Sequence, residues 1–139
     1  MITNFYTLTG YNLKDKNHLT TAMEDYLEMM YRIKIQKNNI HIKDIAKNLN
    51  VRPSSASKMC TRLKEKNLIT CKKYGEIKLT KKGLNYGKYF YQRHNTLVTF
   101  FKILNKDSYS LKQVEKVEHF LDRKTIKNIK NLISFVKKF

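Results

Sequence analysis

Apolar residues recur every three or four positions through most of the chain, which is the spacing of one face of a helix. Thr20 or Thr21 suits the N-cap of the first helix, and Glu24, three residues after Thr21, predicts a capping box. The helix is predicted to run to about Lys37. Its apolar stripe consists of Met23, Tyr26, Leu27, Met30 and Ile33.

The same spacing predicts five further helices, at about 42–50, 53–67, 80–105, 110–122 and 125–139. The segment LITCKKYGEIKLT, at 68–80, predicts two short strands around a turn at Tyr74 and Gly75. The chain has one Pro and four Gly, and this scarcity favours helices joined by short turns. The expected fold class is therefore mainly α with a small β wing.

Residues 42–61 have the spacing of a helix-turn-helix. Ala46 is small, so the second helix can approach the first, and Asn50 tolerates the left-handed backbone that the turn requires. Val51, Ala56 and Met59 are predicted to face inward. With the two strands as a wing, the pattern predicts a winged helix-turn-helix whose second helix enters the major groove of double-stranded DNA.

Charge strengthens the DNA interpretation. The chain has 29 Lys and Arg against 11 Asp and Glu, a formal net charge of +18, which points to a polyanion: nucleic acid first, an anionic membrane surface second. A helical pair with an incidental basic face remains the alternative. The predicted DNA contacts are Arg52, Ser54, Ser55, Ser57, Lys58 and Arg62, with Lys72, Lys73, Tyr74 and Lys78 placing the wing against the backbone.

The chain contains no apolar run long enough to span a membrane and no pattern of a signal peptide. We therefore expect a cytoplasmic protein with no membrane partner. In a reducing compartment Cys60 and Cys71 would stay as thiols, and both are predicted to be small core or turn residues.

Acidic residues are concentrated in two short windows, although the chain is strongly basic. A solvated helix face would explain either window alone. Together with two histidines, they form an oxygen-rich donor set that suits divalent manganese, iron, cobalt or a similar ion. Carboxylates brought together without a cation would repel each other. The windows contain Glu24, Asp25 and Glu28, then Glu115, Glu118 and Asp122.

Five segments resemble the DtxR/MntR family of metal-dependent transcriptional repressors, and most closely its short manganese-responsive branch. They are TTAMEDYLEMMYRI, VRPSSASKM, KYGEIKLTKKG, YQRHN and VEKVEHFL. The resemblance runs from about residue 20 to 139, and it implies a homodimer that binds operator DNA and controls metal homeostasis genes. By position, the implied metal ligands are Asp25, Glu28, His94, Glu115, Glu118 and His119.

The resemblance also bears on which metal activates the protein. Iron-type members tend to carry Met at the position of Asp25 and Cys at that of Glu115, whereas both are oxygen donors here. Mn(II) is therefore the predicted activator, with Fe(II), Co(II) or Zn(II) as alternatives. An iron-responsive repressor and a metal-independent winged-helix regulator remain open. A metallohydrolase would need a separate catalytic constellation, which the sequence does not offer, so neither enzymatic activity nor a small-molecule substrate is expected.

Three segments are expected: an N-terminal arm at 1–19, a winged helix-turn-helix domain at 20–80, and a helical dimerisation and metal-binding domain at 81–139. The arm contains Phe5, Tyr6 and Tyr11, and no role follows from them.

Overall fold

The computed structural model describes Thr7, Tyr11 and residues 19–139, so most of the predicted arm, including Phe5 and Tyr6, lies outside the described residues. The described chain is mainly helical with a small antiparallel sheet, which confirms the predicted fold class. In order, the elements are α1 (Thr21–Lys37), β1 (Ile40–His41), α2 (Ile42–Leu49), α3 (Pro53–Glu65), β2 (Ile69–Cys71), β3 (Glu76–Leu79), α4 (Lys81–Leu104), α5 (Leu111–Val117) and α6 (Arg123–Val136).

The first helix begins as its capping chemistry predicts. Thr20 is the N-cap, and its hydroxyl accepts the N–H of Met23 at 3.1 Å. The predicted capping box is wrong, because the carboxylate of Glu24 instead reaches Arg93 and His119 on other elements. The predicted apolar stripe is buried along its whole length.

The helix-turn-helix is formed by α2 and α3. Asn50, between them, has φ 56° and ψ 49°, the left-handed conformation that the turn requires. Ala46 and Ala56 are buried, so the two helices approach closely. The sheet has the order β1-β3-β2, with Ile40 opposite Ile77 and Thr70 opposite Lys78. The two-residue strand β1 was not predicted, since it is too short to show a period.

Two glycines let α4 approach its neighbours. A Cβ atom at Gly83 would overlap the backbone oxygen of Leu68, and one at Gly87 would lie 2.7 Å from that of Leu27. Neither backbone could accept a larger residue without moving. The close contact of α1 with α4 at Gly87 brings the acidic side of α1 near the part of α4 that carries His94.

The described residues form two hydrophobic cores. The larger core joins α1, the helix-turn-helix, the sheet and the start of α4, and it includes Cys60. The smaller core has only Leu97, Val114 and Ile126 fully buried. Burial raises the pKa of the Cys60 thiol to about 11, whereas Cys71 is exposed. Among the described helices, none has the length and apolar character needed to cross a bilayer.

Candidate metal centre

Three elements meet around a cavity of about 720 Å³. Helix α1 contributes Asp25 and Glu28, α4 contributes His94, and a short 3-10 turn directly after α5 contributes Glu118 and His119. The end of α2 also borders this cavity through Asn48 and Leu49. Residues far apart in the chain thus meet beside the helix-turn-helix.

Two groups of donor atoms lie close enough to hold metal ions. Glu28, His94 and Glu118 form one group, and all three side chains are buried. Asp25, Glu118 and His119 form the other group. Within each group the donor atoms lie within 4.8 Å of one another. Glu118 belongs to both groups and is only 1% exposed.

The first group brings two carboxylates together away from water. Burial, and then the charge of Glu118, raise the pKa of Glu28, although Arg32 and His94 act in the opposite direction. His94 Nδ1 lies 3.1 Å from Glu118 Oε2. A divalent cation would relieve the repulsion between these carboxylates. The donors are oxygens and imidazole nitrogens, without thiolate, and this set fits manganese or iron better than a structural zinc site.

In the second group, His119 is held from both sides. Its Nδ1 lies 2.8 Å from Glu24 Oε1, and its Nε2 lies 3.0 Å from Asp25 Oδ1. Burial alone would lower the pKa of His119, but the hydrogen bonds to Asp25 and Glu24 outweigh burial and raise it to about 9. Imidazole binds metals in its neutral form, so a cation at Nε2 must displace a proton from that nitrogen.

Sequence reasoning missed the residues that support this histidine. Glu24 Oε1 also accepts a hydrogen bond from Arg93, at 2.9 Å, and Arg93 is 3% exposed. A buried arginine thus anchors the carboxylate that orients His119. Glu24 lies within the first acidic window of the sequence, but a single Arg within a helix forms no sequence pattern that would mark it as functional.

Glu115 does not join either group. The helix predicted at 110–122 ends at Val117, and Glu118–Phe120 form a tighter 3-10 turn. Glu115 borders the cavity but is exposed. Its role as a ligand stays a prediction.

Most of the side chains predicted to contact DNA are exposed on α3 and its N-cap and on the wing. Pro53 occupies the first turn of α3, so the free N–H groups of the following serines open toward solvent. The side chain of Lys73 lies outside the described part of the chain. The exposed residues of the set are Arg52, Ser54, Ser55, Ser57, Lys58, Arg62, Lys72, Tyr74 and Lys78.

The wing projects an aromatic side chain from a turn with unusual backbone angles. Tyr74 has φ 68° and ψ 24° and is 98% exposed. Behind it, Lys72 and Lys78 lie side by side, and the proximity of Lys72 lowers the pKa of Lys78. Two adjacent cations beside an exposed ring form a surface that a phosphate backbone would stabilise.

Comparison with known proteins identifies relatives that match most of the chain. Residues 18–77 match the iron dependent repressor, N-terminal DNA binding domain. Over 117 residues the chain is 36% identical to the HTH-type transcriptional regulator MntR of Shouchella clausii, covering 84% of this chain and 82% of that protein. It is 35% identical to the MntR protein of Bacillus subtilis with the same coverage.

Solved structures share the architecture. The manganese regulator SloR superposes with a TM-score of 0.71 at 24% identity, over 84% of this chain. The metal-dependent transcriptional regulator MtsR superposes with a TM-score of 0.73 at 23% identity, also over 84%. The present chain spans about 55% of the length of each of these two. At this level of identity the likeness establishes the fold.

Proposed function

The chain belongs to the iron-dependent repressor family of metal-responsive, DNA-binding transcriptional regulators, and from that premise we propose that it represses genes of metal homeostasis when Mn(II) binds at the cavity. One observation carries the proposal: Glu118 belongs to both donor groups at a cavity that also borders the helix-turn-helix. The family consists of regulators rather than enzymes, and we propose no catalytic role.

The proposed metal ligands are the five residues of the two donor groups, with Glu115 at the edge of the cavity as a sixth. A bound divalent ion would supply the positive charge that lets the carboxylates remain close together. With an ion bound, Glu118 would hold the turn after α5 against both α1 and α4, because it shares a donor group with residues of each helix. Glu24 keeps the Nδ1 side of His119 occupied, which leaves Nε2 for coordination.

The same geometry relates the metal centre to DNA binding. Asp25 and Glu28 lie on α1, which packs directly against α2 as well as α4. Asn48 and Leu49, in the last turn of α2, border the cavity itself. Tightening the ligands around an ion therefore restrains the helix that positions the recognition helix α3. The restraint selects one orientation of α3 from those open to the metal-free protein.

We further propose two functional units, residues 20–80 for DNA binding and 81–139 for dimerisation and metal binding. Helix α4, in the second unit, connects the two, since its Phe90 packs in the larger core and its Leu97 in the smaller one. The smaller core buries few residues for three helices. Large apolar side chains are exposed at Leu132 and Phe135 on α6 and at Phe139, three residues beyond its end. A second copy of the chain would cover these side chains and place two recognition helices on successive half-sites.

Manganese is expected to drive operator binding best. Fluorescence anisotropy with DNA from the gene's own promoter region, titrated with Mn(II), Fe(II), Co(II) or Zn(II), measures this directly. Zn(II) should bind at least as tightly as Mn(II) but activate operator binding less, because Zn(II) prefers four ligands and would leave some of the proposed ligands uncoordinated. By reciprocity, operator DNA should tighten Mn(II) binding by the factor by which Mn(II) tightens DNA binding.

Two results would count against this scheme. A protein that requires Fe(II) under anaerobic conditions and ignores Mn(II) would refute the manganese assignment alone. Equal Mn(II) affinity with and without operator, measured by calorimetry, would refute the coupling between the centre and the DNA-binding face.

Substituting the recognition helix should weaken operator binding without altering metal binding. Lys58→Ala or Arg62→Ala that removes a phosphate contact lowers the salt dependence of binding by a slope of about 1 on every sequence. If the side chain instead contacts a base, the loss is roughly 1–3 kcal/mol and one position of the site is relaxed. Lys127→Ala is the matched control, because it removes an exposed cation from α6 rather than from the helix-turn-helix or the wing. If both α3 variants bind operator DNA with wild-type affinity, α3 is not the helix that recognises the DNA.

A further inference from the structure

Arg32, one turn beyond Glu28 on α1, brings a positive charge into the proposed metal centre. Its Nε and Nη2 donate hydrogen bonds to Glu28 Oε2 at 2.9 and 2.7 Å. On its other side the guanidinium lies 5.1 Å from the centre of the Tyr91 ring on α4. That ring packs against Tyr31, with centroids 5.4 Å apart. Arg32 is therefore held between two helices rather than free in solvent.

The guanidinium uses only one oxygen of the carboxylate. Both nitrogens bind Oε2, so the lone pairs of Oε1 remain available to a second cation. A metal ion bound through Oε1 would not require Arg32 to leave. The positive charge would then stay beside the ion, and the two cations would repel each other for as long as the ion is bound.

This repulsion acts at a site with limited screening. The Glu28 side chain is 11% exposed and that of Arg32 is 31% exposed. Glu28 and Glu118 are the two carboxylates of the buried donor group, and Arg32 neutralises one of them. A unit charge a few ångströms from a divalent ion changes the ion's affinity by about tenfold, even at the dielectric constant of bulk water.

We propose that Arg32 is a built-in counter-cation of the Glu28–His94–Glu118 group, which stabilises its carboxylates before metal binds and raises the metal concentration to which the protein responds. The inference rests on the proposed function, since it takes these residues as metal ligands. Arg32 acts here through Glu28 and needs no contact with the ion.

Calorimetry with Mn(II), paired with electron paramagnetic resonance of the free ion, tests the proposal on the full chain without DNA. Arg32→Gln should tighten Mn(II) binding at one class of site by about tenfold. Arg32→Lys keeps the positive charge but loses the paired hydrogen bonds that the guanidinium makes to Glu28. The Mn(II) affinity of this variant should stay within about threefold of wild type. Lys37→Gln removes the same charge from the same helix, but Lys37 pairs with Asp44 instead, at 3.0 Å. It should bind as wild type does.

A second variant locates the effect. In a His94→Ala background the buried donor group is incomplete, so adding Arg32→Gln should no longer tighten binding. Thermal unfolding gives an independent readout: with a chelator present Arg32→Gln should melt below wild type, and saturating Mn(II) should remove most of the difference. Unchanged or weaker Mn(II) binding in Arg32→Gln, alongside a wild type that binds, overturns the counter-cation and leaves the proposed function standing. A wild type that binds no divalent metal overturns both.

Discussion

Glu118→Ala is expected to lower Mn(II) affinity by at least about 100-fold and to abolish metal-dependent operator binding. Loss of an outer partner of a ligand typically costs 10- to 100-fold in metal affinity, and Glu118 is the proposed ligand common to both donor groups. Its removal leaves Glu28 with His94, and Asp25 with His119, each group short of one anionic donor. Calorimetry with Mn(II) and anisotropy on operator DNA measure the two losses separately.

Two further variants separate coordination from folding. Glu118→Gln preserves the shape and a hydrogen bond to His94 but not the charge, so it should lose metal binding while melting near wild type. Glu115→Ala should have a smaller effect, because Glu115 is exposed and stands outside both donor groups. If Glu118→Ala retains Mn(II)-dependent operator binding, Glu118 is not a ligand shared by the two donor groups, and the proposed mechanism is wrong.

Leu132→Glu is expected to separate the protomers and reduce operator affinity by roughly 100-fold or more. Leu132 is 49% exposed on α6, near Phe135 on the same helix and Phe139 beyond its end. A carboxylate buried in the proposed contact would cost far more free energy than burial of the leucine provides. A monomer engages one half-site at a time, so it loses the effective concentration that linkage to a second recognition helix provides. Sedimentation velocity measures the first effect and anisotropy the second.

Asn131→Glu is the matched control for this substitution. It adds the same side chain at the neighbouring exposed position, where the native residue is already polar. We expect it to sediment and bind as wild type does. If Leu132→Glu stays associated with the wild-type sedimentation coefficient, the dimer contact lies elsewhere on the molecule.

Much of the secondary structure of this protein follows from local interactions that can be predicted from the sequence alone. Helix periodicity, the threonine caps at Thr20 and Thr80, and the asparagine at position 50 depend on neighbours within a few residues. Each predicted helix and both predicted wing strands are therefore present in the structure. The family could also be recognised from the sequence, because its acidic and histidine motifs are short and occur in a characteristic order.

The arrangement of the proposed metal centre depends on the tertiary structure. Glu24 and His119 are 95 positions apart, so no local pattern could have shown that Glu24 orients a histidine rather than closing a capping box. Strand β1 exists only because β3 pairs with it. In the sequence, nothing distinguishes Arg32 from the other basic residues of the first helix. Only the packing of α4 places the Tyr91 ring against its guanidinium. Side-chain partners across helices depend on how the helices pack, and here the close approach permitted by Gly87 sets that packing.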